Sequence, residues 1–154
     1  MSAERRLGQL GIDLPPSRPA SANFVSTKQV GNILYVSGHG PSRRDGSRVT
    51  GKVGSDLTLD EGYEAARLVG IGILSTVRNA LGSLDRVRQI VKAFGMVNSA
   101  PGFDQQAQVL NGFSDLMIEV FGEAGRHART AVGVAELPRG IAIDVEAVIE
   151  VEPP

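Results

Sequence analysis

Cysteine and tryptophan are both absent from this sequence of 154 residues. Without cysteine the chain can form no disulfide, no thiolate metal site and no cysteine nucleophile. The only histidines, His39 and His127, are too few for a histidine-based metal site unless carboxylates complete it. We therefore expect neither a bound metal nor any other cofactor.

Long apolar runs and an excess of charge of one sign are lacking as well. The most apolar stretch, residues 68–74, contains two glycines and is too short to span a bilayer. No apolar run typical of a signal peptide follows the first residues, so we expect a cytoplasmic protein. The 16 Lys and Arg against 17 Asp and Glu give the chain no overall attraction to nucleic acid or to an anionic membrane.

The composition is that of one folded domain preceded by an arm. Hydrophobic residues make up 42% of the chain, and the chain length is typical of a single domain. Three prolines lie at positions 15, 16 and 19 among polar residues. This pattern predicts an extended N-terminal arm over residues 1–22 and a folded domain over residues 23–154.

Hydrophobic periodicity predicts an α+β fold. A capping residue at Asp56 or Thr58 and a terminating Gly82 bound one predicted helix, and a second is expected over residues 103–121. Strands are expected over residues 33–37, 48–52, 87–97, 128–136 and 141–151. The two glycines at 70 and 72 are expected to let the first helix approach the sheet closely. This order predicts a sheet with both helices on one face, and the turn 137–140 predicts a hairpin between the last two strands.

Arg129 is the most informative candidate for a functional residue. Alternation along its strand places it on one face with the small residues Ala131 and Gly133, and directs Thr130, Val132 and Val134 to the core. The predicted hairpin brings Glu146 to the same face as Arg129. A guanidinium among small residues can bind a carboxylate in two-point contact. The alternative, which the pattern alone favours, is a structural salt bridge from Arg129 to Glu146 or Asp144.

Several motifs resemble the YjgF/RidA (Rid) family, also called the endoribonuclease L-PSP family. The resemblance covers residues 23–151 and rests first on the C-terminal signature, residues 129–138 followed by Ile143-Asp144-Val145-Glu146-Ala147. The glycine-bounded strand at residues 31–38 is similar to the family's second strand. Residues 79–87 are similar to its helix end and following turn, and Asn111 falls where the family has a helical asparagine.

This resemblance implies both a fold and an activity. The fold is the chorismate-mutase-like (bacillus type) mixed sheet with two helices on one face, assembled as a homotrimer with clefts between subunits. The activity is cofactor-free hydrolysis of reactive 2-imino or 2-enamino acids to 2-keto acids and ammonia. By resemblance, Arg129 holds the substrate carboxylate and Glu146 acts through a water. Ser37, Gly38 and Asn111 then belong to the substrate-binding residues.

Departures from the family pattern predict a divergent subgroup. Phe24 replaces an aromatic hydroxyl, Ala131 stands where a cysteine is common, and His39 stands where deaminases often have glutamine. We expect all three to line the substrate site. His39 can either donate to a developing charge or cap the backbone of its turn.

Two other functions are compatible with the sequence. The first is a small-molecule carboxylate-binding protein that performs no chemistry, which the loss of the hydroxyl at Phe24 favours. The second is RNA cleavage or translation inhibition, which the family name implies for some members. Balanced charge and only 5% aromatic residues make nucleic acid an unfavourable partner.

Overall fold

The computed structural model describes all 154 residues and confirms a mixed α+β fold. None of its helices combines the length and the apolar character that crossing a membrane requires. Each predicted helix is present, and of the predicted strands only the short segment at residues 48–52 is reduced to isolated bridges. The helices are α1 (Ala3–Gln9), α2 (Leu59–Leu81) and α3 (Gln106–Phe121), and the strands are β1 (Thr27–Val30), β2 (Ile33–His39), β3 (Val87–Asn98), β4 (Ala128–Val134) and β5 (Ile143–Val151).

The five strands form one sheet in the order β1-β2-β5-β3-β4. The predicted hairpin between the last two strands is wrong, because β5 pairs antiparallel with β2 and β3, while β4 pairs parallel with β3. A parallel pair needs a crossover of a dozen or more residues, and α3 supplies it between β3 and β4. The chain then passes β3 and places β5 in the centre of the sheet.

The helices α2 and α3 cover one face of the sheet, as predicted. On β5 every second residue is buried beneath them, and these residues are Ile143, Val145, Ala147, Ile149 and Val151. The intervening residues of β5 point to the other face, which no helix of this chain covers. We call this second face the open face of the sheet.

The predicted orientation of β4 is wrong. Arg129 is paired with Ala93, which is fully buried, and Ala131 is paired with Gly95. A Cβ atom on Gly95 would lie 2.7 Å from a Leu110 side-chain carbon of α3, so this face of β3 and β4 lies against the helices. The small residues of β4 therefore accommodate α3, and Thr130, Val132 and Val134 point to the open face.

The ends of α2 follow the sequence signals. The Thr58 hydroxyl accepts a hydrogen bond from the Glu61 backbone N–H, and the Glu61 carboxylate accepts one from the Thr58 backbone N–H, which completes a capping box. Gly82 ends the helix in the left-handed conformation, with φ of 85°. The two glycines inside α2 have different neighbours: Gly70 packs closely on Leu116 of α3 and not on the sheet as predicted, whereas a Cβ atom on Gly72 would make an ordinary contact with His39 of β2.

The N-terminal residues pack on the domain. The prediction of an extended arm is wrong for Ala3–Gln9, which form α1 behind an N-cap at Ser2. Leu7 is 1% exposed and belongs to the main core, and Glu4 accepts hydrogen bonds from the Arg78 side chain of α2 at 2.6 and 3.2 Å. Residues 13–20 form neither helix nor strand, as the prolines predict.

Candidate functional site

A bulge near the end of β2 forms the first part of the site. Val36 pairs with Ala147 and His39 with Val145, so Ser37 and Gly38 together stand opposite one residue of β5, Glu146. Such a bulge redirects side chains and commonly lies beside a functional site. The structure thus brings three of the predicted residues, Ser37, Gly38 and Glu146, next to one another on adjacent strands.

Asp144 is a second carboxyl group beside Glu146, and sequence reasoning did not single it out as a site residue. Its Oδ1 atom is buried without a hydrogen-bond partner, and a Cβ atom on Gly38 would lie only 2.5 Å from it. Burial, and then the charge of Glu146, raise the pKa of Asp144. A carboxyl group with a raised pKa beside a second carboxyl group is typical of acid–base chemistry. The sequence signal that could have identified this pair is the i, i+2 spacing of Asp144 and Glu146, which places both side chains on one face of a strand.

A cavity of about 210 Å³ adjoins the bulge. Ser37, Gly38 and His39 line it, together with Phe24, whose ring is 54% exposed. The opposite wall is the extended N-terminal segment, residues 15–21. Four of the predicted substrate-binding residues therefore share one cavity.

His39 is held by hydrogen bonds on both ring nitrogens. Its Nδ1 lies 2.6 Å from the Ser37 carbonyl, which can only accept, so Nδ1 carries the proton. The Thr76 hydroxyl then donates to Nε2 at 2.8 Å. Burial lowers the pKa of His39, and the hydrogen bond to Ser37 opposes this only in part. This arrangement supports the backbone-capping interpretation of a neutral His39 rather than the charge-donating one.

Arg129 lies against α3, half-buried, on the helix side of β4. Its Nη1 donates to the Ser114 hydroxyl at 3.0 Å and its Nη2 to the Ala107 carbonyl at 3.2 Å. Arg129 makes no salt bridge, so the predicted ion pair with Glu146 or Asp144 is wrong. The guanidinium is positioned by neutral partners, so its positive charge is not balanced by a carboxylate of the same chain.

A short hydrogen-bond chain fixes the orientation of Arg129. His127 donates from Nδ1 to the Gly125 carbonyl at 2.7 Å, which leaves its Nε2 to accept from Ser114 at 2.9 Å. The Ser114 oxygen is then free to accept from Arg129. Burial, with a smaller contribution from the charge of Arg129, lowers the pKa of His127 and keeps its ring neutral. Sequence reasoning missed both Ser114 and His127 as partners of Arg129.

Asn111 and Ala131 accompany Arg129. Ala107, Asn111 and Ser114 are spaced i, i+4 and i+7 on α3, so Asn111 shares the helical stripe that contacts the guanidinium. Ala131 follows Arg129 on the same face of β4. These residues form a second group, distinct from the group at the bulge.

One chain does not bring the two groups together. Two strands separate β2 from β4, which is about 14 Å at the usual spacing of strands. Arg129 also points to the helix side of the sheet, whereas Glu146 points to the open face. The predicted common face for Arg129 and Glu146 is therefore wrong.

Fold and site together define a class of small α+β proteins: one mixed sheet, helices on one face, and candidate binding residues at a strand bulge and on an edge strand. The family described as "YjgF/chorismate_mutase-like, putative endoribonuclease" matches residues 4–143. The chain belongs to this YjgF/RidA family.

Known relatives are similar over nearly the whole chain. Protein TCP17 from Trypanosoma cruzi is 48% identical over 145 residues, covering 94% of this chain and 91% of that protein. The protein Atu1372 of unknown function from Agrobacterium tumefaciens is 41% identical, covers 97% of this chain and 92% of its own, and superposes with a TM-score of 0.88. A structure from Shewanella oneidensis called a "putative endoribonuclease" is 33% identical, covers 98% and 100%, and has a TM-score of 0.94.

Proposed function

We propose that the chain hydrolyses reactive 2-imino or 2-enamino acids to 2-keto acids and ammonia in a cleft between subunits of a homotrimer. The observation that carries this proposal is the guanidinium of Arg129. It is half-buried, oriented by Ser114 and Ala107, and paired with no carboxylate of its own chain. Such a group is suited to bind the carboxylate of a small acid.

The separation of the two residue groups supports a cleft between subunits. A small acid cannot contact Arg129 and the bulge of the same chain at once, because they lie on different strands and different faces. A second copy that places its Arg129 beside the first copy's bulge completes the site. A trimer has three such boundaries and therefore three sites.

The open face of the sheet supports assembly independently. Tyr35 is 50% exposed there, and it lies with Phe94 and Val148 around an open hollow of about 400 Å³ that Lys92 and Glu146 also line. Met96 and Val132 pair on the same face. A sheet face with exposed apolar residues and no covering helix is typical of a subunit interface. We infer that a second copy covers it.

The chemistry requires only water in addition to the substrate. Arg129 fixes the carboxylate, and the water oxygen attacks the carbon of the C=N bond while Glu146 accepts one water proton and passes it to the imine nitrogen, which gives a carbinolamine. The hydroxyl proton of the carbinolamine then moves through Glu146 to the amino nitrogen, the C–N bond breaks, ammonia leaves, and the former water oxygen becomes the keto oxygen. Asp144, with its raised pKa, can hold a proton next to the Glu146 carboxylate. Holding the imine and the water in place supplies the main rate advantage.

Replacing Arg129 tests the proposal. Arg129→Ala is expected to remove saturable release of ammonia from 2-iminopropionate, lowering kcat/KM by about a hundredfold, because a charge-assisted two-point contact contributes about 3 kcal/mol. The measurement is the initial rate of imine disappearance over the uncatalysed background.

Arg126→Ala is the matched control for this measurement. Arg126 is exposed three residues earlier and pairs only with Glu123, at 3.0 Å. It should keep the rate of the unaltered protein. Equal rates for Arg129→Ala and the unaltered protein, with both variants in the same assembly state, would reject Arg129 as the carboxylate ligand.

Phe24 favours a second candidate function, carboxylate binding without turnover. Its ring lines the cavity but offers no hydroxyl to orient a water. In that case 2-oxobutyrate should bind to Arg129 and raise the melting temperature of the protein, while no imine is consumed above background. Consumption of 2-iminopropionate above background would decide for the enzyme.

A further inference from the structure

The cavity beside the bulge carries charge that the proposed hydrolysis does not use. Three arginines line it: Arg18 from the extended N-terminal segment, and Arg43 and Arg48 from the turn after β2. No aspartate or glutamate is among its lining residues. Three like charges around one cavity raise the local positive potential and favour an anion inside it.

The three arginines lack acidic partners. Arg43 donates to the Ser47 hydroxyl at 3.3 Å and to the Arg48 carbonyl at 3.2 Å, and none of the three makes a salt bridge. The nearby carboxylate of Asp45 is occupied by the backbone and hydroxyl of Ser47, at 2.9 and 2.7 Å. The hydrogen bonds from Ser47, and to a smaller extent the charge of Arg43, lower the pKa of Asp45, but Arg43 and Asp45 form no salt bridge.

The neighbouring Arg44 shows the contrast. It belongs to the same turn, but its Nη2 donates to Asp13 at 2.6 Å, and it does not line the cavity. In this turn, the arginine that forms a salt bridge lies away from the cavity, and the two arginines without a salt bridge line it. Local composition alone does not account for this difference.

The fold brings Arg18 and the turn together. The Arg18 guanidinium lies over Gly46, where a Cβ atom would come within 2.8 Å of Nη1. Gly46 has φ of 91°, in the left-handed region that favours glycine. Six serines contribute to the polar lining, and these are Ser17, Ser21, Ser26, Ser37, Ser42 and Ser75.

We propose that this cavity, which we call the arginine cavity, binds a second anionic group of the substrate. The inference rests on the proposed function: the reacting end of the substrate lies at Ser37 and Gly38, which also line the cavity, and the far end extends toward Arg18, Arg43 and Arg48. The substrate class is then a 2-imino acid with a second carboxylate at its far end. Guanidinium groups and hydroxyls supply the donors that such a carboxylate requires.

Comparison of two keto acids tests the inference. Isothermal titration calorimetry measures the affinity of the protein for 2-oxoglutarate, which has the second carboxylate, and for 2-oxobutyrate, which lacks it. We expect a preference of about tenfold or more for 2-oxoglutarate, equivalent to about 1.4 kcal/mol. The double variant Arg18→Gln/Arg48→Gln should lower this ratio to near one. Arg44→Gln, which changes the same charge outside the cavity, should keep the ratio of the unaltered protein.

The outcomes separate the inference from the proposed function. Binding of 2-oxobutyrate that needs Arg129, without preference for 2-oxoglutarate, overturns the inference and leaves the proposed function standing. A preference of equal size in the double variant also overturns it. If neither keto acid binds, the proposed function fails and the substrate assignment fails with it. Titration with inorganic phosphate then tests whether the arginine cavity binds an anion at all. Phosphate binding that is lost in the double variant supports an anion site there, and no phosphate binding by the unaltered protein rejects it.

Discussion

Residue contacts at the bulge show how closely the two strands approach there. Gly38 leaves room for the Asp144 carboxyl group, and a side chain at this position would place Cβ 2.5 Å from Oδ1. That oxygen has no hydrogen-bond partner and is buried. This close contact therefore requires glycine at position 38. It also helps to bury the Asp144 carboxyl group, and burial raises the pKa of that group.

A substitution at Gly38 tests this contact. Gly38→Ala is expected to lower the free energy of unfolding by about 1–3 kcal/mol, because it overpacks a site that cannot expand freely. In the Asp144→Ala background the same change should cost much less, because the oxygen it meets is gone. Urea denaturation of the four proteins gives the coupling.

Gly8→Ala serves as the control for Gly38→Ala. A Cβ atom there meets nothing within 4 Å, and Gly8 lies in α1, where alanine is the better helix former. It should leave stability unchanged or raise it slightly. An equal cost of Gly38→Ala with and without the Asp144 carboxyl group would contradict the contact.

Elements whose signals are local could be predicted from the sequence. Thr58 and Gly82 mark the ends of α2, and both appear in the structure as the expected caps. Two short elements, α1 with seven residues and β1 with four, were missed. The stability of α1 comes from contacts distant in sequence, such as that of Glu4 with Arg78, and β1 is held by its pairing with β2, so neither depends on its own periodicity.

The crossing of α2 and α3 gives a prediction at the scale of elements. A Cβ atom on Gly112 would collide with the backbone oxygen of Tyr63, which a side-chain rotation cannot relieve. Gly112→Ala is expected to lower the free energy of unfolding by about 3 kcal/mol or more. Thermal and urea denaturation measure the change.

Gly72→Ala is the matched helical variant for this crossing. The nearest atom to its Cβ is His39 Cδ2, at 3.8 Å, an ordinary contact. Alanine should therefore stabilise α2 by about 0.5–1 kcal/mol. Opposite signs for the two variants are the expected result, and a similar loss in both would contradict the assigned crossing.

The arrangement of the whole molecule was less predictable than its parts. Alternation along β5 correctly predicted its buried face, but alternation along β4 could not show which face meets α3. The pairing of Arg129 with Ala93 determines which face of β4 meets α3. This pairing follows from the crossover through α3 that connects β3 to β4. The arginine cavity is likewise formed by segments far apart in sequence, Arg18 and Arg48 among them. Phe24, Ser37, Gly38 and His39 lie together at one cavity, whereas the prediction joined Arg129 and Glu146 through a hairpin that does not form.

Assembly gives the prediction at the scale of the molecule. Val148→Arg puts a charge among Tyr35 and Phe94 on the open face and should shift the proposed trimer toward monomer, because burying an added charge in an interface is costly. Sedimentation velocity measures the distribution. Catalysis should fall with the trimer if the site spans two subunits.

Glu64→Arg is the control for the assembly prediction. It changes an exposed residue on α2, on the opposite side of the sheet, and should leave the trimer intact. A monomeric unaltered protein, or a Val148→Arg variant that assembles normally, would contradict an interface on the open face.

The central place of β5 has a consequence for how the protein is made. During synthesis β1 to β4 leave the ribosome first, yet β2 and β3 are not neighbours and have no direct hydrogen-bond partner in each other. Until residues 143–151 have been translated, the chain holds two separate strand pairs with unpaired inner edges. The sheet therefore closes late, by insertion of one strand between two, and nascent chains halted before that strand would expose edges prone to aggregation.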